Sequence, residues 1–101
     1  MGYLAKWTME LVGTFTICYV SCMARGSLYD QAISQFIVYT FMIYAGANIS
    51  GAHYNPAVTM GLLLVRRCEV YDSMFYILFQ FSGAILAGAL AAYLLDGDIK
   101  K

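Results

Sequence analysis

Charge is scarce in this chain of 101 residues. Only 12% are Asp, Glu, Lys or Arg, about half of the roughly 25% usual in soluble domains, and six basic residues balance six acidic ones. With no net charge, no basic run and no acidic tail, nothing points to nucleic acid or to a charged partner surface. Histidine occurs once, at His53, which leaves no second imidazole for a histidine metal site. Proline also occurs once, at Pro56. The three cysteines, Cys18, Cys22 and Cys68, match neither a metal spacing nor a paired framework, and no cofactor is expected. Cys18 and Cys22 fall one helical turn apart and read as apolar packing. What the chain has instead is apolar residues, 61% of the total, and a mean hydropathy of +0.67. A soluble domain of this length could not hide that much apolar surface, whereas lipid sets no such limit. The class is a polytopic, all-α membrane protein.

Three segments approach the roughly 20 apolar residues that a span needs. The first runs over about residues 3–24 and is interrupted by Lys6 and Glu10. It is too long for the apolar part of a signal peptide, and no small-x-small cleavage site follows, so a retained helix is expected. Lys6 also breaks the myristoylation pattern. Arg25 to Asp30 forms a polar turn with Gly26 as the helix stop. The second span, about 31–47, carries no charge. Residues 48–54 then break the pattern, with Gly51 among them.

Asn55 followed by Pro56 is a start signal, because an Asn side chain caps free N–H groups and Pro fits the first helical position. The apolar stretch Ala57 to Val65 is closed by Arg66 and Arg67, whose charge suits a helix C-terminus. About ten residues reach roughly 15 Å, half of a hydrocarbon core about 30 Å thick. The layout over about 48–66 is therefore a re-entrant loop and half-helix. Irregular backbone at that depth is tolerated only where protein buries it or where it lines a watery cavity, which argues for a pore. The third span covers about 71–95 after a connector with Glu69 and Asp72, and residues 96–101 make a polar exit. Lys6 with Arg66 and Arg67 outweighs Arg25, while Lys100 and Lys101 restore a tie; the N-terminus and the Arg66-Arg67 connector are expected on the cytoplasmic side.

The string Ser50-Gly51-Ala52-His53-Tyr54-Asn55-Pro56-Ala57-Val58-Thr59 resembles the first Asn-Pro-Ala box of the aquaporin, or major intrinsic protein, family. Glu10-Leu11-Val12-Gly13-Thr14-Phe15 is similar to its first-helix Glu-x-x-Gly-Thr-Phe. Phe79-Gln80-Phe81-Ser82-Gly83-Ala84, followed by Gly88, is similar to its third-helix Ala-Gln-x-x-Gly-Ala, with Phe79 in place of the usual Ala. The resemblance covers essentially the whole chain. It implies one of two inverted repeats, three transmembrane helices and one half-helix, of a channel for water and possibly small neutral solutes such as glycerol. The second Asn-Pro-Ala box, three further spans and the family's selectivity arginine are expected from missing chain or from a partner, and complete pores are expected to form tetramers in a plasma or intracellular membrane.

Within the box, Asn55, Pro56 and Ala57 would place the positive end of a helix dipole near the midplane, where water can accept from the Asn55 amide and a cation or proton meets a barrier. Gly51, Ala52 and His53 are expected as extended backbone with carbonyls along the pore. Gln35, twenty residues before Asn55, falls by resemblance in the narrow selectivity region, where an aromatic or His is more usual; its alternative is a hydrogen bond to a neighbour near the interface. An ionisable group inside a span is functional by default, and the resemblance implies that Glu10 supports the re-entrant backbone, with Gln80 also in a supporting role. Ala84, Gly88 and Ala91 or Ala92 read as a close-packing stripe. Two other functions remain open. One is a non-conducting structural or assembly protein with the same half-fold, and the other is an intramembrane enzyme using Glu10 and His53, for which no nucleophile and base share a motif.

Overall fold

A computed structural model describes residues 2–99, with side chains through Asp96. Four helices follow one another: α1 (Tyr3–Met23), α2 (Leu28–Gly46), α3 (Pro56–Leu64) and α4 (Val70–Ile99). No strand occurs among the described residues. Lys100 and Lys101, which enter the orientation count, lie outside them.

The helix ends follow from local chemistry. α1 stops at Met23, and Gly26, at φ +104°, makes the turn that its missing Cβ allows. α2 starts at Leu28, three residues ahead of the expected position, because Ser27 and Asp30 form a capping box: Ser27 Oγ accepts from the Asp30 N–H at 3.2 Å and Asp30 Oδ2 accepts from the Ser27 N–H at 3.1 Å. At the end of α3, Arg66 adopts φ +62°, its N–H donates to Leu63 O, and the Arg67 N–H donates to Leu62 O. That pairing is a Schellman closure, so Arg66 and Arg67 end the helix with their backbone and stand just beyond its last turn. α4 begins at Val70 and continues past Asp96 to Ile99, where a polar exit was expected.

α1 packs along α4, and the two backbones approach closely at Gly83. A Cβ there would sit 2.4 Å from Leu11 O and 3.1 Å from the Phe15 nitrogen. The small residues that face α1 are thus Gly83, Ala87 and Ala91, the latter two buried. This corrects the expected stripe: a Cβ on Gly88 would meet nothing within 4 Å, and Ala84 and Ala92 are not buried. Near the start of both helices Trp7 stacks on Phe75 with centroids 4.2 Å apart and donates to Asp72 Oδ1 at 3.2 Å, while Lys6 pairs with Asp72 Oδ2 at 3.6 Å. An aromatic and charged collar of this kind belongs at a membrane interface.

The molecule is polar inside and apolar outside. Glu10, Thr59, Ser73 and Gln80 are its largest fully buried side chains, whereas Phe36, Phe41, Tyr44 and Ile85 are each more than 60% exposed. That inverts the soluble pattern and suits a lipid surround. Among the described residues α4 is the one helix both long and apolar enough to cross a bilayer on its own, over Val70–Asp96. α1 and α2, with 21 and 19 residues, have the length.

Candidate functional site

The site is built around one carboxylate. α1 carries Glu10 and Gly13 on the same face, one turn apart, and both meet the segment 47–55 that links α2 to α3. Glu10 is fully buried, and its two oxygens receive four donors. Oε2 accepts from Ser50 Oγ at 2.6 Å and from the His53 N–H at 3.1 Å; Oε1 accepts from the Tyr54 N–H at 2.7 Å and from Gln80 Nε2 at 2.8 Å. Two of these are backbone donors that would otherwise stand unpaired in the interior, at a cost of about 1–3 kcal/mol each. Gln80, fully buried on α4, also donates to Thr59 Oγ1 at 3.0 Å, and Thr59 Oγ1 lies 2.9 Å from His53 Nδ1. One network therefore ties α1, the link, α3 and α4 together.

Gathering the N–H groups of His53 and Tyr54 onto Glu10 bends the link. Gly51 has φ +90°, Ala52 φ +55° and Tyr54 φ +57°. The expectation of extended backbone through Gly51, Ala52 and His53 is corrected accordingly: the chain alternates in and out of left-handed conformations. Two of them fall on residues with a Cβ, which strain of about 1–3 kcal/mol each would discourage without the carboxylate to hold them. The His53 carbonyl is also occupied, since Tyr39 on α2 donates its hydroxyl to it at 2.7 Å. Tyr76 on α4 donates to Ser50 O in the same way, at 2.5 Å.

Tyr54 shows why Gly13 is a glycine. Its ring lies between Gly13 of α1 and Gly46 of α2, where added Cβ atoms would stand 2.1 Å from Tyr54 Cε1 and 1.8 Å from Tyr54 Oη. The hydroxyl donates to Met42 O at 2.7 Å, and the ring completes a small buried cluster with Ile17 and Met42.

At the start of α3, Asn55 Oδ1 accepts from the Ala57 N–H at 2.8 Å, and Pro56 occupies the first helical position. The cap leaves the Asn55 amide nitrogen as a donor on an exposed residue beside exposed Ala57. Asn55 and Pro56 line a cavity of about 350 Å³ shared with Thr14, Gln35, Tyr39 and Gln80. Gln35 thus meets Asn55 across the cavity, and its Nε2 also reaches Ile17 O at 3.5 Å, the outer limit of a hydrogen bond. On the other side of the link a second cavity, about 330 Å³, is lined by Gly51, His53 and Tyr76 together with Lys6, Cys68 and Asp72.

Of the residues singled out from sequence, Glu10, Gln80 and His53 enter the buried network, Asn55, Pro56 and Gln35 share the first cavity, and Gly51 borders the second. Ala52 packs against the Ile17, Met42 and Tyr54 cluster. Ser50, Tyr54 and Thr59 were quoted within the Asn-Pro-Ala box without a role of their own, and sequence reading missed Tyr39 and Tyr76 altogether. The signal for Tyr39 and Tyr76 is general: a tyrosine inside an apolar helix must find a partner for its hydroxyl, and a broken backbone is the nearest supply of free carbonyls.

Comparison with known proteins agrees with this geometry. The solved X-ray structure of the aquaglyceroporin from Plasmodium falciparum superposes with a TM-score of 0.84 over 98% of this chain and 45% of that one, at 24% identity, which shows a shared fold. Aquaporin NIP2-1 of Oryza sativa subsp. japonica is 39% identical over 93 residues, 83% of this chain and 31% of the relative. The glycerol uptake facilitator protein-like 6 of Lactiplantibacillus plantarum is 34% identical over 90 residues, 85% of this chain and 42% of the relative. The chain thus spans less than half the length of these curated relatives. The sequence profile of the major intrinsic proteins matches from residue 4 to residue 101, and the chain belongs to that family.

Proposed function

We propose that this chain supplies one repeat of a transmembrane channel for passive passage of water and small neutral solutes such as glycerol. The observation that carries the reading is the start of α3: a nine-residue helix opens inside the fold on Asn55, whose side-chain oxygen is used by the cap and whose amide nitrogen is left to donate into a cavity. Water or a hydroxyl can accept from that donor and move on. A cation or proton would meet the positive end of the helix in a low-dielectric surround. The Glu10 network supports the same reading, since it holds a bent backbone at membrane depth that no membrane helix needs for insertion alone.

Membership of the family makes this an integral membrane protein. In our reading α1, α2 and α4 cross the bilayer, the segment 48–66 is re-entrant, and the N-terminus shares the cytoplasmic face with Arg66 and Arg67. Gly51, Ala52, His53, Asn55, Pro56, Ala57 and Gln35 line or border the path, with Glu10 and Gln80 as supports. A second repeat, from further chain or a partner polypeptide, completes the lumen, and complete pores assemble as tetramers in a plasma or intracellular membrane. An enzyme built on Glu10 and His53 has no geometric support, because the Glu10 oxygens are saturated by four donors and no substrate can reach a fully buried carboxylate.

The test is solute flux in vesicles bearing the assembled pore. Asn55→Ala should alter water and glycerol permeation and weaken the cap by about 1 kcal/mol, while α1, α2 and α4 remain inserted, because their lengths do not depend on the cap. Equal flux at equal membrane abundance would count against a lumen-facing Asn55 and favour a non-conducting role.

A further inference from the structure

Thr14 on α1 and Gln80 on α4 each keep one polar atom without a partner among the described residues, Thr14 Oγ1 and Gln80 Oε1. Both residues are more than nine-tenths buried, at 4% and 0% exposure, and both line the cavity of about 350 Å³ that Asn55 and Gln35 share. They stand together, because Thr14 lies one turn beyond Glu10 on the same face of α1 and Glu10 holds the Gln80 amide. The Gln80 nitrogen is spent on Glu10 and Thr59, neither of which lines this cavity, so the oxygen is the polar atom that Gln80 leaves for an occupant. Thr14 is as unusual. Thr16, Ser34 and Ser82 each donate to the carbonyl four residues earlier, at 2.8, 2.8 and 2.9 Å, and Thr14 does not. Native interiors rarely leave such groups unmatched, because each then carries its full desolvation cost.

We infer that Thr14 Oγ1 and Gln80 Oε1 form a recessed binding site for one uncharged hydroxyl group, that of a water or of a small polyol, in the wall of this cavity. An amide oxygen only accepts, so the occupant must donate to Gln80; a threonine hydroxyl donates or accepts, so the same hydroxyl serves Thr14 as well. A deprotonated carboxylate has no donor to offer Gln80. A cation is opposed too, since no carboxylate lines the cavity and the positive end of α3 opens on it at Asn55. Ile17, Phe81 and Ala84 give the cavity apolar wall, which suits a small molecule with a single hydroxyl turned into the recess. The site is separate from the Asn55 amide: it belongs to the buried contact of α1 with α4, whereas Asn55 is exposed.

Any effect on flux rests on the channel reading; occupancy of the site does not. The assembled pore would be imaged, by crystallography or electron cryo-microscopy at a resolution that shows ordered waters, with and without glycerol. The expected result is one ordered oxygen within hydrogen-bond distance of both Thr14 Oγ1 and Gln80 Oε1. Thr14→Val keeps the shape and removes the hydroxyl, so the ordered oxygen should be lost and Tm should fall by several degrees, and Thr14→Ser should restore the oxygen. A hydroxyl that is simply unmatched predicts the opposite sign, because deleting a buried polar group without a partner stabilises. In vesicles, a several-fold loss of glycerol flux relative to water flux in Thr14→Val identifies a polyol hydroxyl as the occupant, and an unchanged ratio identifies a resident water. An unfilled recess in the unaltered protein, a side chain of the second repeat donating to Gln80 Oε1 in its place, or a higher Tm in Thr14→Val would overturn the inference. The map of the unaltered protein decides the site even where Thr14→Val folds poorly. Absence of flux from the unaltered pore would instead overturn the channel reading, with the map still deciding the site.

Discussion

Glu10 works because every group that approaches it is a donor. Glu10→Gln keeps the shape but turns an NH₂ toward Ser50, the link N–H groups or Gln80, leaving at least one buried donor without an acceptor. At about 1–3 kcal/mol for each such group, the variant should give less monodisperse protein in detergent and a lower Tm. Unchanged yield and Tm would refute the tie. Gly13 makes a second, steric prediction. A methyl at that position collides with the Tyr54 ring, so Gly13→Ala should destabilise by about 1–3 kcal/mol, measured by thermal unfolding, and pairing it with Tyr54→Ala should recover part of the loss, since the clash is with that ring. That Glu10 must be paired was legible from sequence, because a carboxylate inside a span cannot stand alone, and its place as support of the re-entrant backbone was implied by the family resemblance. The Ser50 hydroxyl as a further donor was not legible, nor were the outer contacts: Tyr39 and Tyr76 are ordinary helix residues until the fold brings their hydroxyls to the bent backbone, and Thr59 is one until Gln80 donates to it.

At the scale of elements, composition and the Asn55-Pro56 pair gave four helices in the right order, and the disagreements lie at their ends. The Ser27-x-x-Asp30 box was present in the sequence, but polar residues before a span were read as a turn, when their polarity serves the helix start. Which small residues of α4 face α1 could not be read, because Gly83, Ala84 and Gly88 look alike without the direction of approach. That direction makes a prediction. Gly83→Ala puts a methyl against the α1 backbone at Leu11 and should separate the two helices, lowering Tm markedly. Gly88→Ala meets nothing and should be neutral or stabilise by up to about 1 kcal/mol through helix propensity. Equal effects of the two changes would contradict the packing described.

For the whole molecule, the cavity lined by Asn55 and Gln35 has walls from only the elements of one repeat. These residues alone, as a monomer in liposomes, should show no water flux above protein-free vesicles, with oligomeric state checked by cross-linking. Fast flux from a demonstrated monomer would sink the half-pore reading. The Glu10 network also sets an order of events during synthesis. Its carboxylate is made forty residues before Ser50 and seventy before Gln80. A charged side chain at the centre of an inserting helix costs about 2.5–3.5 kcal/mol on insertion scales, and Glu10, in the first half of α1, carries up to that cost. Until the link and α4 emerge, α1 carries that cost uncompensated, so α1 settles in the bilayer only when its later neighbours arrive. The carboxylate that anchors the finished link thus makes the first helix the last to become secure, and a nascent chain halted before α4 is one that the membrane itself holds weakly.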